Sequence, residues 1–160
     1  MTDYQQEEFN SKKLICFRLD QTYYAIDMGK IKEVIQPPEI RELPGVSFYV
    51  KGVMNLRGEI IPIVDLRKLM NIPAKDGGEV RVIVYDVNGV DIGFFVDEIA
   101  RVITISLKKI LPPPPILLKG LDPGTIGGVF ELEDKNVLLF NLEKMLSPKE
   151  TANLRQATKQ

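Results

Sequence analysis

Residues 49–70 (YVKGVMNLRGEIIPIVDLRKLM) and 125–146 (TIGGVFELEDKNVLLFNLEKML) lie over one another without a gap at a shift of 76 (125 − 49). Gly52 falls on Gly128, Val53 on Val129, Leu56 on Leu132 and Ile63 on Leu139. Asp65 meets Asn141, another helix-capping residue type. A second shift, of 68 (99 − 31), puts Ile31-Lys32-Glu33-Val34-Ile35 on Ile99-Ala100-Arg101-Val102-Ile103. It also puts Leu14-Ile15-Cys16-Phe17 on Val82-Ile83-Val84-Tyr85. Self-similarity at a fixed shift marks one supersecondary design built twice, so whatever the first half folds into, the second must fold into as well.

Each copy reads as three strands, a loop, two strands and a short helix. Arg57-Gly58 punctuates two apolar runs, a hairpin signal. Val50, Gly52, Met54 and Leu56 alternate onto one face of the first strand, leaving Lys51, Val53, Asn55 and Arg57 on the other. Ile60–Val64 is apolar on both faces and reads as buried; Pro62 within it belongs at a bulge or on an unpaired side. Asp65 is a good N-cap for a helical turn that ends before Pro73. Leu14–Leu19 and Tyr23–Met28 form a hairpin around Asp20-Gln21-Thr22, matched in the second copy by the turn dipeptide Asn88-Gly89. Lys30–Gln36 is a third strand.

Five short strands cannot cover two faces as an open sheet, so each copy is expected to curl into a small barrel. The predicted class is all-β with short helices: two five-stranded β-barrel subdomains, about 12–79 and 80–148, packed on a shared core. Residues 1–11 and 149–160 read as polar tails. The shifts differ by eight (76 − 68), and the extra residues fall in the inter-strand loop. There the second copy carries Leu111-Pro112-Pro113-Pro114-Pro115-Ile116, read as a rigid polyproline spacer rather than a peptide ligand.

Composition removes several function classes. The net charge is −1, from 21 basic and 22 acidic residues, so no global field favours nucleic acid or anionic lipid. There is no histidine and one cysteine, which removes the Ser-His-Asp and Cys-His arrangements and any structural zinc site. Cys16, inside an apolar run, reads as a small buried hydrophobe in a reducing compartment. The N-terminus is polar and unlike a secretory signal, and no window is long and apolar enough for a membrane span.

The remaining candidates are weak as chemistry. Glu131, Glu133 and Asp134 cluster, but a solvated strand edge explains them without acid–base work. The stretch 120–128 is rich in glycine yet lacks the lysine of a phosphate loop. Neither an enzyme nor a small-barrel nucleic-acid binder finds a site, and no cofactor or metal is expected. What stands out is a mismatch: Asn55-Leu56-Arg57-Gly58 corresponds to Glu131-Leu132-Glu133-Asp134. If the turn needed arginine for its own geometry, both copies would carry it. The plain alternative for Arg57 is a solvated charge beside a turn.

The run Gly52–Leu66, G-V-M-N-L-R-G-E-I-I-P-I-V-D-L, resembles the signature of the CheW family, the coupling proteins of bacterial chemotaxis. The segment Phe17–Val34 fits as well, and the resemblance spans residues 12–147. It implies SH3-like barrels and a non-enzymatic cytoplasmic adaptor recruited to receptor arrays. The implied partners are the histidine kinase CheA, through its CheW-like regulatory domain, and the cytoplasmic tip of methyl-accepting chemotaxis receptors. It associates Ile31, Glu33, Gly52 and Arg57 with receptor coupling, and Asn55 enters through the same signature. For Gly52 the residues leave a second reading open, a backbone site where any side chain would clash. The pathway served, flagellar or pilus-driving or other, is not encoded in these motifs. A monomer is expected in isolation, since short strands and prolines blunt the edges and no heptad seam is present.

Overall fold

The computed structural model describes residues 2, 10–73, 79–118, 122 and 124–158. Most of the expected N-terminal tail, residues 1 and 3–9, lies outside them. Ten strands are described: β1 (Ser11–Leu19), β2 (Thr22–Asp27), β3 (Ile31–Ile35), β4 (Val50–Leu56), β5 (Glu59–Asp65), β6 (Arg81–Val87), β7 (Val90–Val96), β8 (Glu98–Ser106), β9 (Ile126–Leu132) and β10 (Lys135–Phe140). Three α-helices accompany them, α1 (Leu66–Leu69), α2 (Leu142–Met145) and α3 (Pro148–Ala157). The mostly-β class and the two five-stranded sheets agree with the sequence reading. Both shifts hold: β4 and β9 start and end 76 residues apart, as do α1 and α2.

The partition of strands does not follow the expected boundary near residue 80. One sheet has the order β8-β1-β2-β10-β9 and the other β3-β6-β7-β5-β4. One compact unit takes the chain up to Gly29 and Ile99–Met145; the other takes Lys30–Glu98 and the chain from Leu146 onward. In each, the opening hairpin of one repeat joins the last three strands of the other. Each hairpin is joined on one side through a parallel pair, Tyr23–Ala25 of β2 against Val137–Leu139 of β10, and Ile63–Asp65 of β5 against Gly93–Phe95 of β7. A repeat fixes the period of a design and not the point where a unit begins, so the cut at 79/80 was one phase of several. The units are called here unit 1 (containing β1) and unit 2 (containing β3).

The two interiors use equivalent positions. Unit 1 packs Leu14, Cys16, Ala25, Ile105, Phe130, Val137 and Leu139. Unit 2 packs Val82, Val84, Met54, Ile61 and Ile63, which five of those positions match through the two shifts. Ala25 corresponds to Gly93, where a Cβ would come within 2.7 Å of Ile63 Cδ1 and 2.8 Å of Val82 Cγ1. Cys16 is buried, as the sequence indicated. Burying it pushes its thiol up from the ordinary range, an effect the Arg101 charge only partly opposes.

Three hairpins turn on two residues with positive φ: Arg57-Gly58 (50° and 88°), Asn88-Gly89 (52° and 86°) and Glu133-Asp134 (50° and 64°). This type I′ geometry matches the twist of the flanking strands. Asp65 caps α1, its carboxylate accepting from Arg67 N at 3.0 Å. Pro62 faces Val53 at a pair that exchanges no hydrogen bonds, because Val53 uses its N–H and C=O on Arg41 instead.

Two expectations fail. Val53 is buried between buried Gly52 and Met54, so the alternation along β4 breaks. A register shift between Val50 and Gly52 resets the pleat, and residue 41 pairs along the strand's outer edge. The C-terminal tail is instead α3, with Ser147 and Glu150 forming a capping box and Pro148 in the first turn. Ser147-Pro148-Lys149-Glu150 carries the helix-start signal in its residue types.

Candidate functional site

The five candidate residues fall on three neighbouring elements of unit 2. Ile31 and Glu33 lie on β3, Gly52 and Asn55 on β4, and Arg57 on the turn into β5. Strands β3 and β4 are the two ends of their sheet. Arg57 Nη2 nevertheless donates to Glu33 Oε2 in an ion pair, so the sheet curls until its ends meet at that contact. The Arg57 side chain stays 72% exposed and Glu33 27%. The guanidinium is thus held on one side and open to solvent over most of its surface.

The remaining candidates support this arrangement from behind. Asn55 Oδ1 accepts from Gly58 N at 2.9 Å, which ties the turn that lifts Arg57 into the left-handed region. A side-chain acceptor offsets part of the cost of that backbone. Gly52 is buried with φ 150°, and a Cβ there would overlap the Arg41 carbonyl. The close pairing of residues 41 and 53, with hydrogen bonds of 2.8 Å in both directions, needs glycine at this point. Ile31 is half-buried, paired with Tyr85 of β6. The structure therefore brings Glu33 and Arg57 together on the surface, sets Asn55 and Gly52 as their framework, and leaves Ile31 at the strand's start.

Unit 1 repeats the contact with its signs exchanged. Arg101 on β8 forms an ion pair with Glu133 on the β9–β10 turn, Nη2 to Oε1 at 3.2 Å. The shifts of 68 and 76 carry Glu33 to Arg101 and Arg57 to Glu133. Sequence reasoning saw the second exchange and missed the first; the two aligned repeats contained both. Glu131 and Asp134 are exposed beside this pair.

Two further groups were not anticipated. Arg67 is 5% exposed. It forks onto Asp97, with Nε to Oδ1 at 2.7 Å and Nη2 to Oδ2, and reaches the Pro73 carbonyl at 2.5 Å. This planar, double contact is available to arginine and not to lysine. Tyr49 donates its hydroxyl to Glu150 Oε2 at 2.5 Å, fixing α3 to unit 2. Burial and the neighbouring carboxylate push Tyr49 up to about 12. Burial alone would raise Glu150, but hydrogen bonds from Tyr49 and Ser147 outweigh it and hold the carboxyl below its ordinary range.

A family model described as the CheW-like domain matches residues 13–150. The chain belongs to the CheW-like domain family. Among members, the chemotaxis protein CheW of Treponema pallidum is 31% identical over 147 residues, covering 89% of this chain and 86% of that protein. Protein PilI of Pseudomonas aeruginosa is 34% identical over 130 residues, 81% of this chain and 72% of its own length. The crystal structure of the scaffolding protein TtCheW from Thermoanaerobacter tengcongensis aligns with a TM-score of 0.78 at 30% identity, covering 85% of this chain and 88% of that one. In this CheW-like chain, the match spans both units and the first turn of α3.

Proposed function

We propose that this protein is a non-enzymatic chemotaxis adaptor that couples the histidine kinase CheA to the cytoplasmic tips of methyl-accepting chemotaxis receptors, in the cytoplasm beneath membrane-bound arrays. The observation that carries the reading is Arg57. It stands on a rigid turn, is oriented by Glu33, and still shows most of its guanidinium to solvent. A planar fork of donors suits carboxylates and the carbonyls at helix ends, which a helical receptor tip supplies. Its charge is not demanded by the hairpin, because the equivalent hairpin carries Glu133. Two units with differently charged tips suit a scaffold that holds two partners at high effective concentration. In this reading Ile31, Glu33 and Arg57 contact the receptor, and Gly52 and Asn55 hold the contact surface in shape. The likeness to PilI supports a second reading, the same scaffold in a non-flagellar chemosensory pathway.

The test is Arg57→Glu, alone and combined with Glu33→Arg, the pair that unit 1 already uses. Both variants should melt close to the parent, since an exposed ion pair contributes only about 0–1 kcal/mol. Both should lose receptor binding by roughly ten- to a hundredfold, as expected for a hydrogen bond to a charged group, while CheA binding in the same pull-down is affected less. If the double variant binds receptor normally, Arg57 serves only its own sheet and the site assignment fails.

A further inference from the structure

The seams of the two units differ in what lines them. In unit 2, Lys32 on β3 reaches Asp91 on β7 at 2.8 Å, and this ion pair forms one wall of a cleft of about 330 Å³ that Glu59 and Ile61 also line. The shift of 68 replaces Lys32 by Ala100 and Asp91 by Tyr23 in unit 1. In place of that charged wall, a methyl group and a tyrosine ring stand beside a cleft of about 250 Å³.

The lining of that cleft is divided by character. Tyr23, Leu132, Val137 and the buried Cys16 make an apolar floor and walls. Arg101 and Lys135 supply two cations, and Glu133 one carboxylate. Lys135 Nζ lies 4.7 Å from the centre of the Tyr23 ring. Its counterpart in unit 2 is Glu59, so the second cation is particular to unit 1. Arg101 meets Glu133 through one nitrogen at 3.2 Å and is 42% exposed. Local charge is therefore positive by one, next to an apolar recess. The volume falls just below the ~300 Å³ at which drug-sized pockets begin, which limits an occupant to a small molecule.

We propose that the seam cleft of unit 1 is a binding site for a small amphipathic carboxylate, its apolar part against Tyr23 and Val137 and its carboxylate between Arg101 and Lys135. Opposite charge at the rim and apolar walls below select such a molecule over a neutral one of the same shape and over a fully hydrated inorganic anion. The site does not depend on the adaptor reading, and it gives the chain a place where a metabolite could be sensed.

The experiment is an amide NMR titration of the full chain with sodium benzoate, beside benzyl alcohol as the neutral match. Benzoate should give saturable shifts confined to residues around 16, 23, 100–101 and 132–137, at about tenfold lower concentration than benzyl alcohol, the loss expected for one charge-assisted contact. Ala100→Glu, which sets a carboxylate of the chain itself beside Arg101 and Lys135, should abolish these shifts. Lys135→Gln should weaken benzoate about tenfold and leave benzyl alcohol unchanged. Both positions are exposed, so the two variants should fold. Equal binding of the two probes, shifts scattered over the surface, or undiminished binding by both variants would overturn the proposal.

Discussion

At the seam of unit 2 a carboxylate on β3 meets an arginine on the turn after β4; at the seam of unit 1 an arginine on β8 meets a carboxylate on the turn after β9. Strand order, turn geometry and interior positions are otherwise shared. Opposite charges meet where the ends of each sheet approach, and either polarity serves there. Polarity is then free to be set by what each hairpin meets outside the molecule. A second contrast lies one position away, where the Lys32–Asp91 ion pair walls one cleft and Ala100 and Tyr23 stand beside the other.

The sharpest break in the likeness is Arg67, whose counterpart in the other repeat is Glu143. Arg67→Met should destabilise unit 2 by about 3–5 kcal/mol, because Asp97 is left largely buried without its fork. A denaturant midpoint that hardly moves would mean the two helical turns are held alike. Next comes Gly93→Ala, which inserts a methyl against Ile63 and Val82 and should cost about 1–3 kcal/mol. The mirror change, Ala25→Gly in unit 1, should cost only about 0.5–1 kcal/mol. Equal effects would show that the two interiors are packed with the same slack.

A similarly small effect concerns α3, which belongs to unit 2. Tyr49→Phe should cost about 1 kcal/mol, a charged hydrogen bond discounted for the solvent exposure of Glu150. Its pH profile follows from the two shifts. Glu150 titrates lower in the folded chain, so its contribution is present above its unfolded value and lost as the medium is acidified through the folded one. Tyr49 titrates higher, so its contribution is complete below about 10 and lost on approaching about 12. Stability measured across pH should show both losses in the parent; in the Phe variant the alkaline loss disappears and the acid loss shrinks, because Ser147 still bonds Glu150.

Much of this architecture was legible in the residues. Period-two patterns and the dipeptides Arg57-Gly58 and Asn88-Gly89 located strands and turns, and Asp65 announced α1, because these signals are local. The assignment of strands to units was not legible, since it depends on β2 choosing β10 and β5 choosing β7 across long stretches of chain. Val53 misled for a related reason: a bulge and a backbone neighbour from residue 41 cover the face that alternation assigns to water. Of the candidate site, the sequence supplied the residues and their uneven charge. It did not reveal that Glu33 and Arg57 are partners, because they stand at opposite ends of one sheet.

The exchange of hairpins has a consequence for how the chain comes into being. The five strands of the second unit are consecutive, β3 to β7, and all have been synthesised once Val96 is made. Hairpin β1–β2 is synthesised before any of them, yet its sheet neighbours β8 and β10 come after residue 97. A lone two-stranded hairpin is marginal in water. Leu14, Cys16 and Ala25 therefore wait uncovered while another sheet is assembled from the chain that follows. Residues translated before β3 to β7 find their place after them, and for that interval the nascent protein carries one half-built sheet with its apolar strands open to whatever chaperone or neighbour arrives first.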